Sequence, residues 1–131
     1  MFWSKKGKKI LLVEDDVDIG ETYKMKLNAN NFIVEITFDG EEGMEKIRSF
    51  RPDLVLLDIV MPKKDGFDFL EELRNEPEEI KKIPIVVLSN LASPIDIEQG
   101  KRFGVRGWWV KSFNTPSQIA QKVIDFFEAN K

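Results

Sequence analysis

The residues able to do chemistry together in this chain are Glu14, Asp15 and Asp16 in one run, then Asp58, Ser89 and Lys111. Each follows or ends a short apolar run: Ile10-Leu11-Leu12-Val13, Leu54-Val55-Leu56-Leu57, Ile85-Val86-Val87-Leu88 and Trp108-Trp109-Val110. Taken singly, each reads as a solvated loop residue or a helix cap, and Asp16 is well placed to cap the helix that follows it. Taken together they do not, because clustered carboxylates repel: two unit charges about 4 Å apart cost about 4 kcal/mol at an effective dielectric near 20. A divalent cation removes that cost. An oxygen-only donor set with room for water and a phosphoryl oxygen selects Mg²⁺ over zinc or caged calcium. The chain has no cysteine and no histidine, which excludes disulfides, thiolate metal sites and a histidine general base. Its chemistry must run on carboxylates, hydroxyls and lysines.

Residues so far apart in sequence meet only if the strands before them run parallel and end on one edge. The sequence predicts strands over Lys9–Glu14, Ile33–Thr37, Leu54–Asp58, Ile85–Ser89 and Gly107–Val110. Three of these carry near-continuous aliphatic runs, the pattern of strands buried on both faces. Helices are predicted over Asp16–Asn30, Gly40–Ser49, Gly66–Asn75, Pro94–Phe103 and Pro116–Asn130. Ser93-Pro94 and Thr115-Pro116 each supply a capping hydroxyl and a proline at the first helical position. Gly43 and Gly100 fall inside helices, at roughly 1 kcal/mol each relative to alanine. Five βα units imply an α/β doubly wound fold, a five-stranded parallel sheet of flavodoxin-like order, with the ligand site beyond the carboxyl ends of the strands.

Composition bounds the rest. At 42% hydrophobic and 33% charged residues, the chain is neither disordered nor membrane-inserted. One domain over residues 9–131 is expected, after a short basic extension over residues 1–8 that lacks the apolar core of a signal peptide. A cytoplasmic location follows as the expectation. A net charge of −3 gives no electrostatic case for nucleic-acid binding.

Ile10-Leu11-Leu12-Val13-Glu14-Asp15-Asp16, Asp53-Leu54-Val55-Leu56-Leu57-Asp58-Ile59-Val60-Met61-Pro62-Lys63-Lys64-Asp65-Gly66 and Gly107-Trp108-Trp109-Val110-Lys111 resemble the receiver domains of bacterial response regulators. The resemblance runs from about Lys9 to the C-terminus. It implies a stand-alone domain that accepts a phosphoryl group on Asp58 from a histidine kinase or phosphotransfer protein, a phosphoacceptor rather than a turnover enzyme. It also implies that Mg²⁺ is bound by Asp15, Asp58 and the Val60 backbone carbonyl, with Glu14 acting through water. Ser89 is then the hydroxyl that bonds the phosphoryl group, Trp108 the aromatic that reorients with it, and Lys111 the site lysine. The fourth helix, fifth strand and fifth helix of the predicted series would form the switching surface for an output partner, on a monomer or weak homodimer. In the family, the positions two after the phosphoacceptor and two after the hydroxyl flank the path of the hydrolytic water. Here they are Val60 and Leu91, whose aliphatic side chains cannot orient it, so slow hydrolysis is expected.

The chain departs from the family pattern near the site. Ser112 follows Lys111 where the family has a proline after a cis bond, so the bond is either trans or held cis at roughly 3 kcal/mol. Asn90 stands where alanine or glycine is usual and is expected to crowd the site, as is the large ring of Trp108. Adjacent Trp108-Trp109 reads equally as a strand with one ring on each face. These departures keep open a receiver-like interaction module that works without phosphorylation. A flavoprotein reading fails because Glu14-Asp15-Asp16 would repel FMN phosphate. An Mg²⁺-dependent phosphohydrolase would need a general-acid aspartate at the position of Val60.

Overall fold

The computed structural model describes residues 7–130, so residues 1–6 of the expected basic extension lie outside the described residues. The strands are β1 (Lys9–Val13), β2 (Ile33–Thr37), β3 (Leu54–Leu57), β4 (Ile85–Ser89) and β5 (Gly107–Val110). They form one parallel sheet in the order β2-β1-β3-β4-β5. The aliphatic runs of β1, β3 and β4 occupy its centre because only there is each face dry. Ile10, Leu12, Leu54, Leu56, Val86 and Leu88 point to one side, against α1 (Val17–Ala29) and α6 (Pro116–Ala129). Leu11, Val13, Val55, Leu57 and Ile85 point to the other, against α2 (Gly40–Phe50), α3 (Gly66–Leu73) and the short α4 (Glu78–Lys81). Fully burying each such side chain is worth roughly 1.5–3 kcal/mol, and a one-residue slip would send every one of them to the wrong face. That pins the register, and the register pins the site.

α5 (Pro94–Phe103) packs more loosely and buries only Gly100. A 3₁₀ turn over Lys111–Phe113 follows β5. The expected caps are all made: Asp16, Ser93 and Thr115 accept from the N–H groups of Ile19, Asp96 and Gln118. Asp65 adds a capping box with Asp68 at the start of α3. The strands predicted to end at Glu14 and Asp58 end one residue earlier, at Val13 and Leu57, where their mutual pairing stops. The predicted third helix stops at Leu73 rather than Asn75. The short α4 was not predicted, because four residues after Pro77 carry no periodicity beyond a single buried Ile80. Gly100 has a packing reason: a Cβ there would come within 2.8 Å of the Trp108 ring.

Two glycines at the site end should respond oppositely to alanine. A Cβ on Gly66 would lie 2.6 Å from the Asp58 carbonyl oxygen and 2.7 Å from Ile59 Cα, backbone that cannot yield. One on Gly20, inside α1, meets only ordinary contacts at 3.6 Å or more. Denaturant unfolding of Gly20→Ala should show a gain of up to about 1 kcal/mol from helix propensity. Gly66→Ala should lose about 1–3 kcal/mol to overpacking. The reverse order would mean that the loop after β3 is not held against α3 as described.

Candidate functional site

The sheet brings the sequence-predicted residues to one edge by register alone. Val13 pairs with Leu57, so Glu14 and Asp58 leave their strands side by side. The Asp58 N–H donates to the Val13 carbonyl at 3.0 Å, and the Glu14 N–H to the Thr37 carbonyl at 2.9 Å. Ser89 pairs with Val110, which places Lys111 one residue past the end of β5. Glu14, Asp58 and Ser89 are 1%, 6% and 1% exposed, whereas Asp15 is exposed to solvent.

Carboxylate oxygens of Glu14, Asp15 and Asp58 lie within 4.8 Å of one another. The Lys111 ammonium ion-pairs with Glu14 Oε1 and donates to Asp58 Oδ2, the latter at 2.9 Å. Each buried acid also has a backbone donor: the Asp16 N–H to Glu14 Oε2 at 3.0 Å, and the Ile59 N–H to Asp58 Oδ1 at 2.7 Å. Burial pushes the Glu14 carboxyl above its usual value, against the pull of the Lys111 ammonium and the Asp16 N–H. Burial also opposes the charge on Lys111, but its hydrogen bonds to Glu14 and Asp58 outweigh it and hold the ammonium above its ordinary value. Three carboxylates facing one ammonium leave an excess of negative charge that suits a divalent cation. Asp16 stays outside this set because its carboxylate caps α1.

Ser89 Oγ accepts the Leu91 N–H at 3.1 Å and keeps its own proton to donate. Trp108 Nε1 donates to the Leu91 carbonyl at 2.8 Å, and its ring lies 6.4 Å from that of Phe67. Trp109 turns to the opposite face, with the Lys122 ammonium 6.0 Å from its ring. One ring therefore lies on each face, and the Trp108 ring also touches the site loop. Val60 lies in the bend after Asp58 and is 63% exposed. Among the described residues no peptide bond is cis, so Lys111-Ser112 is trans and Lys111 still reaches Asp58. The Asn90 side chain bonds the Ser112 N–H at 2.7 Å, a contact that nothing in the residue order signals.

The comparisons with known proteins agree with this geometry. The model of the response regulator receiver domain family matches residues 10–124. The probable C4-dicarboxylate response regulator DctR of Halalkalibacterium halodurans is 38% identical over 108 residues, covering 80% of this chain and 45% of that protein. The chain thus spans about half the length of the curated relatives it matches. The phosphorylated cyanobacterial phytochrome response regulator RcpA superposes with a TM-score of 0.83 at 32% identity, covering 95% of this chain and 96% of that one. The Mn²⁺-bound form of response regulator Rcp1 does so with a TM-score of 0.79 at 29% identity, covering 92% and 94%. Taken with the acidic edge and its lysine, these matches establish that the chain belongs to the response regulator receiver domain family of two-component systems.

Proposed function

We propose that the chain takes a phosphoryl group onto Asp58 from a phosphohistidine of a kinase or phosphotransfer protein, and that Mg²⁺ is the divalent ion at its acidic edge. The observation that carries this reading is a buried Asp58 whose Oδ2 already holds the Lys111 ammonium at 2.9 Å, beside Glu14 and Asp15. Asp15, Asp58 and the Val60 carbonyl would hold the ion, with Glu14 acting through water. Bound there, Mg²⁺ would neutralise charge between the carboxylate and the incoming phosphoryl oxygens. Phosphoryl transfer through a loose transition state asks for positioning and neutralisation more than for a strong nucleophile. The Ile59 N–H fixes the Asp58 carboxylate, an Asp58 oxygen forms the bond to phosphorus, and the N–P bond of the donor breaks. Lys111 exchanges part of its carboxylate pairing for a phosphoryl oxygen, and Ser89 Oγ donates to another. A groove of about 400 Å³ lined by Ile19, Tyr23, Asn90, Lys111 and Ser112 opens beside Lys111.

The switch runs through the same hydroxyl. Ser89 Oγ holds the Leu91 N–H, and the Leu91 carbonyl holds Trp108, so a pull on Ser89 reaches β5 through two bonds. The surface of α5, β5 and α6 would carry the change to an output partner. Moving a population from 1:99 to 99:1 takes about 5.5 kcal/mol. A new charge-assisted bond contributes about 1.5–3 kcal/mol, so full activation needs the partner as well.

Incubation with Mg²⁺ and acetyl phosphate should give a single phosphoryl adduct by intact mass, lost in Asp58→Asn. An adduct that persists in that variant, or none in the parent, overturns the reading. In calorimetric titration Asp15→Asn should weaken Mg²⁺ binding at least tenfold, about 1.4 kcal/mol; unchanged affinity would put the ion elsewhere. The adduct should also be long-lived, since the Val60 and Leu91 side chains offer the attacking water no polar atom. After donor removal, Val60→Asn with Leu91→Glu should speed its decay by about ten- to a hundredfold, at about 1.4 kcal/mol for each restored orienting bond. Equal decay would mean that the water is positioned by other groups.

A further inference from the structure

The Ser112 N–H needs an acceptor, and the Asn90 Oδ1 provides it at 2.7 Å. Asn90 is the first residue past β4, directly after Ser89, and Ser112 is the middle residue of the 3₁₀ turn that Lys111 begins. The bond spans 22 positions of sequence and ties the loop bearing the hydroxyl to the turn bearing the ammonium. The rest of that turn is closed by its own neighbours: Asn114 Nδ2 donates to the Val110 carbonyl at 2.8 Å, and the Asn114 N–H to the Lys111 carbonyl at 3.2 Å. Asn90 therefore supplies a tie from the turn to β4. Lys111 must pass β4 to reach Asp58 beyond β3, on a flexible four-carbon stem. The placement of its backbone decides whether Nζ meets Glu14 and Asp58 together.

We propose that Asn90 is a positioning residue for phosphoryl transfer, acting through Lys111 by holding the Ser112 N–H. It touches no reacting atom. The proposal rests on the reading of Asp58 as phosphoacceptor, and it replaces the expectation that Asn90 crowds the site. A trans Lys111-Ser112 bond leaves an N–H that a proline would lack, and the Asn90 amide oxygen turns that N–H into an anchor. A proline at position 112 would leave Asn90 without a donor to hold.

The rate constant for adduct formation from acetyl phosphate at saturating Mg²⁺ tests this in the parent, Asn90→Ala, Lys111→Ala and the double variant. Asn90→Ala should be slowed about tenfold, equivalent to 1.4 kcal/mol, and should add nothing further in the Lys111→Ala background, since residues acting through one group are not additive. A full rate in Asn90→Ala, or an equal slowing in both backgrounds, overturns the proposal. Hydrogen exchange at the Ser112 amide and the Lys111 side-chain nitrogen resonance supply a readout that needs no phosphorylation. Both should change in Asn90→Ala, and Asn90→Asp, which keeps an acceptor oxygen, should restore the Ser112 protection. A parent that forms no adduct would sink the assignment of Asp58, while the exchange and resonance data would still decide the tie. If neither moves in Asn90→Ala, Asn90 does not position Lys111.

Discussion

The Lys111 ammonium lies between two buried carboxylates, and the charge balance of the whole carboxyl edge depends on that contact. Taking away one partner of a buried ion pair leaves an uncompensated charge at a cost of several kcal/mol. Here one cation serves Glu14 and Asp58 at once, so its loss would leave both acids facing Asp15. Among the described residues, Glu14 and Asp58 each have one backbone donor besides the Lys111 ammonium, which fixes the carboxylates.

Everything that brings Lys111 to Asp58 is non-local. The ammonium comes from beyond β5, passes β4 and meets a carboxylate at the end of β3. It reaches its target because the central strands are buried on both faces and cannot slip, and because α3 begins at Gly66, whose N–H donates to the Ile59 carbonyl at 2.8 Å. That close approach sets the bend between Asp58 and α3. Stability invested in the two apolar layers is thus converted into positional accuracy at an edge that is itself polar and strained by like charge.

The other half of the site is held lightly. Ser89 and Trp108 both reach the backbone of Leu91, while α5 buries only Gly100 and leaves Ile95 80% exposed. A loosely packed helix joined to a firmly placed strand is a reasonable place for a two-state element, since elements that move are drawn from the less stable parts of a fold. The aromatic packing of Trp108 against Gly100 and Phe67 makes the position of that ring sensitive to where α5 sits.

Much of this was legible from residue order. Buried parallel strands demand continuous aliphatic runs, so β1, β3 and β4 announced themselves, and hydroxyl-proline pairs marked the starts of α5 and α6. The acids, the hydroxyl and the lysine each follow such a run, so parallel topology alone places them on one edge. Residue order pointed to Asp16 as the cap of α1, but it could not say whether Lys111-Ser112 was cis or trans, or that Asn90 would hold the Ser112 N–H. It also missed α4, whose four residues have no period to read. Those outcomes depend on distances between segments remote in sequence. A hydrogen bond between positions 90 and 112 exists only once two strands have been laid side by side by a core that neither residue belongs to.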